Sequence, residues 1–249
     1  MATMTFSKPA PAQEQGAEVS EKQVPAVVAR EDTAAVAVAA PPVAGDVSGE
    51  LHRSMIMVPR LNVVQAVGGL SEQFDAGTVV FNGEIVLAKP GEPMEIVVAH
   101  IHVCIEEDLE FGSEAMPRRW ESREQALKDG MTLDWGPGDE RPSARYIAEG
   151  LAFVREPAND ESGQFIYPCE GVNYALAMWK MAGAAFTSAG KILISARKFA
   201  LREGLHTGKF TLTTVREKRG TNMVWVPKLR QAGKTGEAFR AFVEDVLLG

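Results

Sequence analysis

The apolar positions change period along the chain, and each change predicts an element. From Met55 the runs are short and β-like: Met55-Ile56-Met57-Val58 stops at Pro59, and Leu61-Asn62-Val63-Val64 follows. Thr78-Val79-Val80-Phe81 and Glu84-Ile85-Val86-Leu87 flank Asn82-Gly83, a pair that tolerates the positive φ of a tight hairpin turn. Met94 to Ile105 reads as a longer strand. Glu121 to Lys128 reads as a short helix stopped by Gly130, and Gly130 to Pro142, with Trp135-Gly136-Pro137-Gly138, as a loop. Ile147 to Val154 suits either helix or strand. Tyr174 to Met181 predicts a buried strand, and Ala184 to Leu201 a helix. Lys209 to Arg216 and Asn222 to Lys228 predict a second hairpin around Lys218-Arg219-Gly220-Thr221. In the last stretch, Gly236 to Leu248, Phe239, Phe242, Val243 and Val246 recur at helical spacing. Strands with helices added late predict an α+β domain built on an antiparallel sheet or an OB-like small β-barrel.

Residues 1–50 show no such period. They are rich in Ala, Val, Pro, Glu and Gln and hold one aromatic residue, Phe6. That composition cannot offset chain entropy by burial, so a disordered arm is expected, followed by a single domain over 51–249. No run approaches the roughly 18 apolar residues of a membrane helix, which argues against a spanning protein. The two cysteines, Cys104 and Cys169, make no disulfide framework and fit a reducing compartment.

Motifs that carry chemistry are incomplete. Ala232-Gly233-Lys234-Thr235 resembles the end of a phosphate-binding loop, but Lys228 stands where that loop needs its first glycine. No dinucleotide-binding glycine pattern, serine-hydrolase elbow or paired C-x-x-C is present. His100, His102 and Cys104 would share one face of a strand, opposite Val97, Ala99, Ile101, Val103 and Ile105. Three such ligands suit Zn²⁺, but a closed site needs four, so no metal and no other cofactor is expected. Glu106-Glu107-Asp108-Leu109-Glu110 reads as a solvated acidic loop rather than an acid–base site. The expectation is a protein that is not an enzyme.

Charge changes this picture most. The total is −7, from 26 Lys+Arg and 33 Asp+Glu, which by itself argues against a nucleic-acid partner. Residues 81–163, however, hold eighteen acids and eight bases, while residues 180–234 hold twelve bases and two acids. A basic stretch of that density is the footprint of a polyanion site. Trp179, Phe186, Phe199, Phe210 and Trp225 are interleaved with the bases, and single-stranded nucleic acid needs both cations for phosphates and rings for bases. The candidate nucleic-acid-binding residues are therefore Trp179, Lys180, Lys191, Arg197, Lys198, Lys209, Phe210, Arg216, Lys218, Arg219, Trp225, Lys228 and Arg230. The plain alternative for each ring is core packing, and for the bases an internal match to the acidic middle.

Met57-Val58-Pro59-Arg60-Leu61-Asn62-Val63-Val64-Gln65, Gly77 to Gly83, Gly204 to Phe210 and Trp225 to Arg230 give the chain a family look. It resembles uncharacterised early (replication-module) proteins encoded by tailed phages and prophages. The resemblance implies DNA replication or recombination, in the cytoplasm of a bacterial host. With the basic stretch, it points to a non-enzymatic single-stranded DNA-binding protein, with replication or recombination proteins, or further copies of itself, as other partners. A virion or assembly protein is the alternative, and a metal-dependent enzyme ranks last.

Overall fold

The computed structural model describes residues 57–110 and 112–248. The arm at 1–50 and the run at Met55-Ile56 lie outside the described residues. All the described residues fall in the compact unit Ala39–Gly249.

Among the described residues ten strands form two sheets, and every ladder between them is antiparallel. The small sheet is β1 (Leu61–Val63), β2 (Val79–Phe81) and β3 (Ile85–Ala88). The large sheet runs β10 (Asn222–Lys234), β9 (Gly208–Arg219), β4 (Met94–Glu107), β6 (Ala144–Arg155), β8 (Val172–Ala182), β7 (Tyr167–Cys169), with β5 (Arg119–Trp120) beside the end of β4. The ladders do not close into a barrel. Between β8 and β10, Pro59 accepts the Met178 N–H at 2.7 Å, and the Gln65 side-chain amide bonds both N–H and C=O of Trp225 at 3.0 and 2.9 Å.

Local chemistry explains much of this. Asn82 and Gly83 take φ of 54° and 77°, as the β2–β3 turn requires. Helix α1 (Arg123–Lys128) starts at Ser122, whose hydroxyl accepts the Gln125 N–H at 3.2 Å. Replacing Ser122 with Ala should cost about 1 kcal/mol, read as a small fall in thermal midpoint with an unchanged native spectrum. Helix α2 (Lys191–Ser195) is flanked by π turns at Phe186–Gly190 and Ala196–Ala200, which matches the helical reading of this stretch. The ambiguous segment at 147–154 is strand, in β6.

The register of β4 departs from the simple alternation. A bulge between Val98 and His100 shifts the pairing with β6. Ile96 and Val98 therefore share a face with Ile101 and Val103, and all four belong to the main core. That core holds Phe81, Phe210, Leu212, Trp179, Met181 and Leu193, between the large sheet, the small sheet and α2. The opposite face of the sheet packs Phe153, Tyr167 and Tyr174 against Phe239, Phe242 and Val243 of α3 (Glu237–Leu248). Edge-on ring contacts at 5.0 Å (Tyr174–Phe239) and 5.9 Å (Phe153–Phe239) fix α3 there. The helical spacing of its apolar residues thus marks its buried side. Among the described residues no helix is long and apolar enough to cross a membrane.

Candidate nucleic-acid interface

Strands β9 and β10 form a long ribbon. Its base joins the sheet, with Phe210–Leu212 laddered on Met94–Ile96; beyond Leu212 the ladder of β9 continues with β10 alone. Gly220 supplies the positive φ (59°) at the turn, and Arg219 pairs with Asn222. Lys218 and Arg219 are thus the last residues of a strand and stand just before the two-residue tip.

Besides the Gln65–Trp225 bonds, two contacts hold the ribbon to the segments that flank the small sheet. The Thr214 hydroxyl donates to the Gly77 carbonyl at 2.6 Å and accepts the Gly91 N–H at 3.1 Å. The Trp225 indole lies on Gly77, where an added Cβ would come within 2.5 Å of the ring; with φ of 97°, only glycine suits that position.

The ribbon carries seven bases, Lys209, Arg216, Lys218, Arg219, Lys228, Arg230 and Lys234, and one acid, Glu217. Cross-strand pairs share a face, so the register assigns their sides. Arg216 pairs with Trp225 and Lys218 with Met223 on one side. Lys228 pairs with Thr213 and Arg230 with Thr211 on the other, together with Lys209 and Arg219. Lys209 lies 3.1 Å from Glu95 of β4, and Arg219 2.7 Å from Glu217, which Lys228 also bonds. The Lys228 hydrogen bond holds the Glu217 carboxyl below the usual carboxylate range. Arg216, Lys218, Arg230 and Lys234 are exposed and have no carboxylate partner among the described residues.

The other expected site residues scatter. Lys191 stands on α2, and Arg197 donates to the Arg202 carbonyl at 2.7 Å. The Lys198 ammonium lies 5.7 Å from the ring of Phe199, itself 70% exposed. Trp179 is 2% exposed and Phe210 is wholly buried, so neither offers a ring face to a base and the expectation that they stack on one is corrected to core packing. Trp225 is half-buried; it lines a cleft of about 330 Å³ with Trp179 and Lys180 between β1, β8 and β10.

Lys180 serves the acidic segment. Its Nζ lies 2.6 and 2.7 Å from the two oxygens of Glu106, whose side chain is 3% exposed. Arg119 reaches the same carboxylate at 3.0 Å and Glu149 at 2.9 Å. Burial pushes the Glu106 carboxyl up, but the bonds and charge of Lys180 and Arg119 outweigh it and hold the group below the usual range. Glu107 pairs with Arg118 at 3.0 Å, and Asp108 with Arg141 and Arg145. The segment expected to be a solvated loop is therefore strand at Glu106 and Glu107, and Glu106, Glu107 and Asp108 are matched by cations on or beside β5, β6 and β8, while Glu110 is exposed. For Lys180 the internal-match alternative holds.

His100 and His102 are exposed while Cys104 is buried, and His102 Nε2 lies 3.2 Å from Glu121. Among the described residues no group of three metal-binding side chains stands together. Both cysteines are free and buried, and burial pushes their thiols up, toward low reactivity. Ala232-Gly233-Lys234 ends β10 and Thr235 follows it: Gly233 comes after a bulge, and the Thr235 hydroxyl donates to the His206 carbonyl at 2.7 Å. Trp135 is 67% exposed and is absent from the expected site residues; its signal in the sequence is a tryptophan in a Gly/Pro loop, where no strand or helix buries it.

No family model, curated protein or solved structure matches this chain.

Proposed function

We propose that the chain is a non-enzymatic single-stranded DNA-binding protein, acting in phage-type replication or recombination, whose β9–β10 ribbon makes the contact. The observation that carries this reading is the charge of the ribbon: seven bases against one acid, with Arg216, Lys218, Arg230 and Lys234 exposed and without carboxylate partners among the described residues. Cations in that state bind phosphates and release condensed counterions, and the binding is independent of sequence. With Trp179 and Phe210 buried, phosphate contacts carry the affinity, and Trp225 is the one ring of the ribbon left at the surface. The reading needs no OB-like barrel, because the ribbon alone presents the charge.

One observation favours a second reading. Bases stand on both sides of the ribbon, and a two-stranded ribbon fits the major groove of a duplex. Salt titrations with labelled single-stranded and duplex oligonucleotides of equal length decide between them. The expected result is tighter binding of the single strand, with log affinity falling linearly as log salt rises. Tighter duplex binding selects the second reading; affinity that is absent or flat with salt overturns both.

A further inference from the structure

We propose that the cleft between β4, β6 and the helical run around α2 binds a nucleoside phosphate. The cleft measures about 890 Å³ and includes Trp135, Tyr146, Phe186, Arg141, Arg145 and Lys191 in its lining. That volume lies within the roughly 300–1,000 Å³ of small-ligand sites.

Two features define the ligand. The first is flat aromatic surface. The Tyr146 and Phe186 rings lie 6.0 Å apart and 16° from parallel, and the Trp135 indole is 67% exposed beside them. The second is unbalanced positive charge. Among the described residues Asp108 is the one carboxylate in the lining, against two guanidinium groups and the Lys191 ammonium. Arg141 pairs with Asp108. Arg145 Nη1 lies 2.9 Å from Asp108 Oδ1 but outside hydrogen-bond geometry, and neither that oxygen nor Arg145 Nε has a hydrogen-bond partner among the described residues. The Asp108 side chain is 10% exposed, so it anchors the two arginines from below and leaves their charge incompletely used. Rings receive a base and guanidinium groups a phosphate. The lining joins Arg141 and Arg145 of the acidic middle of the sequence to Lys191 of its basic third, and it shares no residue with the ribbon.

A nucleoside phosphate comes either as a free nucleotide or as the phosphorylated end of a strand. The test is calorimetric titration of the full chain with adenosine, adenosine 5′-monophosphate, and a tetrathymidylate with and without a 5′-phosphate. The monophosphate should bind more tightly than adenosine and quench the Trp135 fluorescence. Replacing Trp135 with Ala should weaken it about tenfold or more. Arg145→Met should bring its affinity down to that of adenosine, and Lys191→Met, at an exposed position, gives a second reading of the phosphate contact that leaves the fold alone. A gain in tetranucleotide affinity from the 5′-phosphate that Lys191→Met abolishes assigns the site to strand ends; monophosphate binding with no such gain assigns it to free nucleotide. Equal affinity for adenosine and its monophosphate, or unchanged binding by the Trp135 and Lys191 variants, overturns the proposal. The ribbon reading is separable: monophosphate binding without oligonucleotide binding sustains the cleft alone, and oligonucleotide binding without it sustains the ribbon alone.

Discussion

Replacing Arg216, Lys218 and Arg230 together with Gln is expected to weaken binding of single-stranded DNA about a hundredfold near 0.1 M salt. The size follows from counterion release. Each phosphate contact to a single strand adds about 0.7 to the slope of log affinity against log salt, so three lost contacts lower the slope by about 2. The same three contacts contribute about two decades of affinity at 0.1 M relative to 1 M salt. The side chains are exposed and bond no carboxylate among the described residues, so thermal unfolding should be unchanged. Lys209, Arg219 and Lys228 provide the contrast. Each is engaged by Glu95 or Glu217, so part of its field is already neutralised, and Gln at those three positions should cost less affinity. Fluorescence anisotropy across a salt series measures both quantities. A triple variant with the wild-type slope would remove the ribbon from the interface.

Glu106→Gln should destabilise the fold by about 2–3 kcal/mol, below the 3–5 kcal/mol typical when a wholly buried pair is broken. The reduction reflects the partners: the Lys180 and Arg119 side chains are 43% and 45% exposed and recover hydration when the carboxylate is lost. For a domain of this size, about 2–3 kcal/mol corresponds to a fall in midpoint of about 4–12 °C. The pH dependence has a definite sign. The folded-state pKa of Glu106 is depressed, so its contribution is present above the unfolded value, about 4.3, and is lost as pH falls through the folded value. Urea unfolding between pH 7 and pH 3 should show the wild type losing its advantage over Glu106→Gln as the pH drops below about 4. Parallel pH profiles for the two proteins would mean that the carboxylate is not held by Lys180 and Arg119 in solution.

The elements that the chain's own pattern predicts are those with local causes. Asn82-Gly83 specifies a turn because both residues accept positive φ, and α3 shows its buried side because Phe239, Phe242, Val243 and Val246 recur at helical spacing. The ribbon of β9 and β10 was legible for the same reason, since two alternating runs meet at a glycine turn. The basic charge of that ribbon is likewise a property of the sequence.

Which of two faces is covered is settled elsewhere in the chain. Alternation puts Phe210 and Leu212 on one side of β9, but only the packing of the small sheet and α2 turns that side into core and removes Phe210, with Trp179, from any interface. A single bulge at Val98–His100 re-phases β4, and the unbroken apolar run Ile96-Val97-Val98-Ala99 hides the change of face in the sequence. Glu106 and Lys180 are 74 residues apart, and two intermediate strand pairings, β4 with β6 and β6 with β8, bring them into contact. The Trp135 cleft likewise gathers residues from 103 to 194. Sequence alone therefore determined the elements and the sign of their charge, because periodicity, turn chemistry and formal charge are carried by neighbouring residues. Tertiary structure alone decided which rings are buried, which charges neutralise one another and which remain for a ligand, because those depend on strand register and on contacts between distant segments.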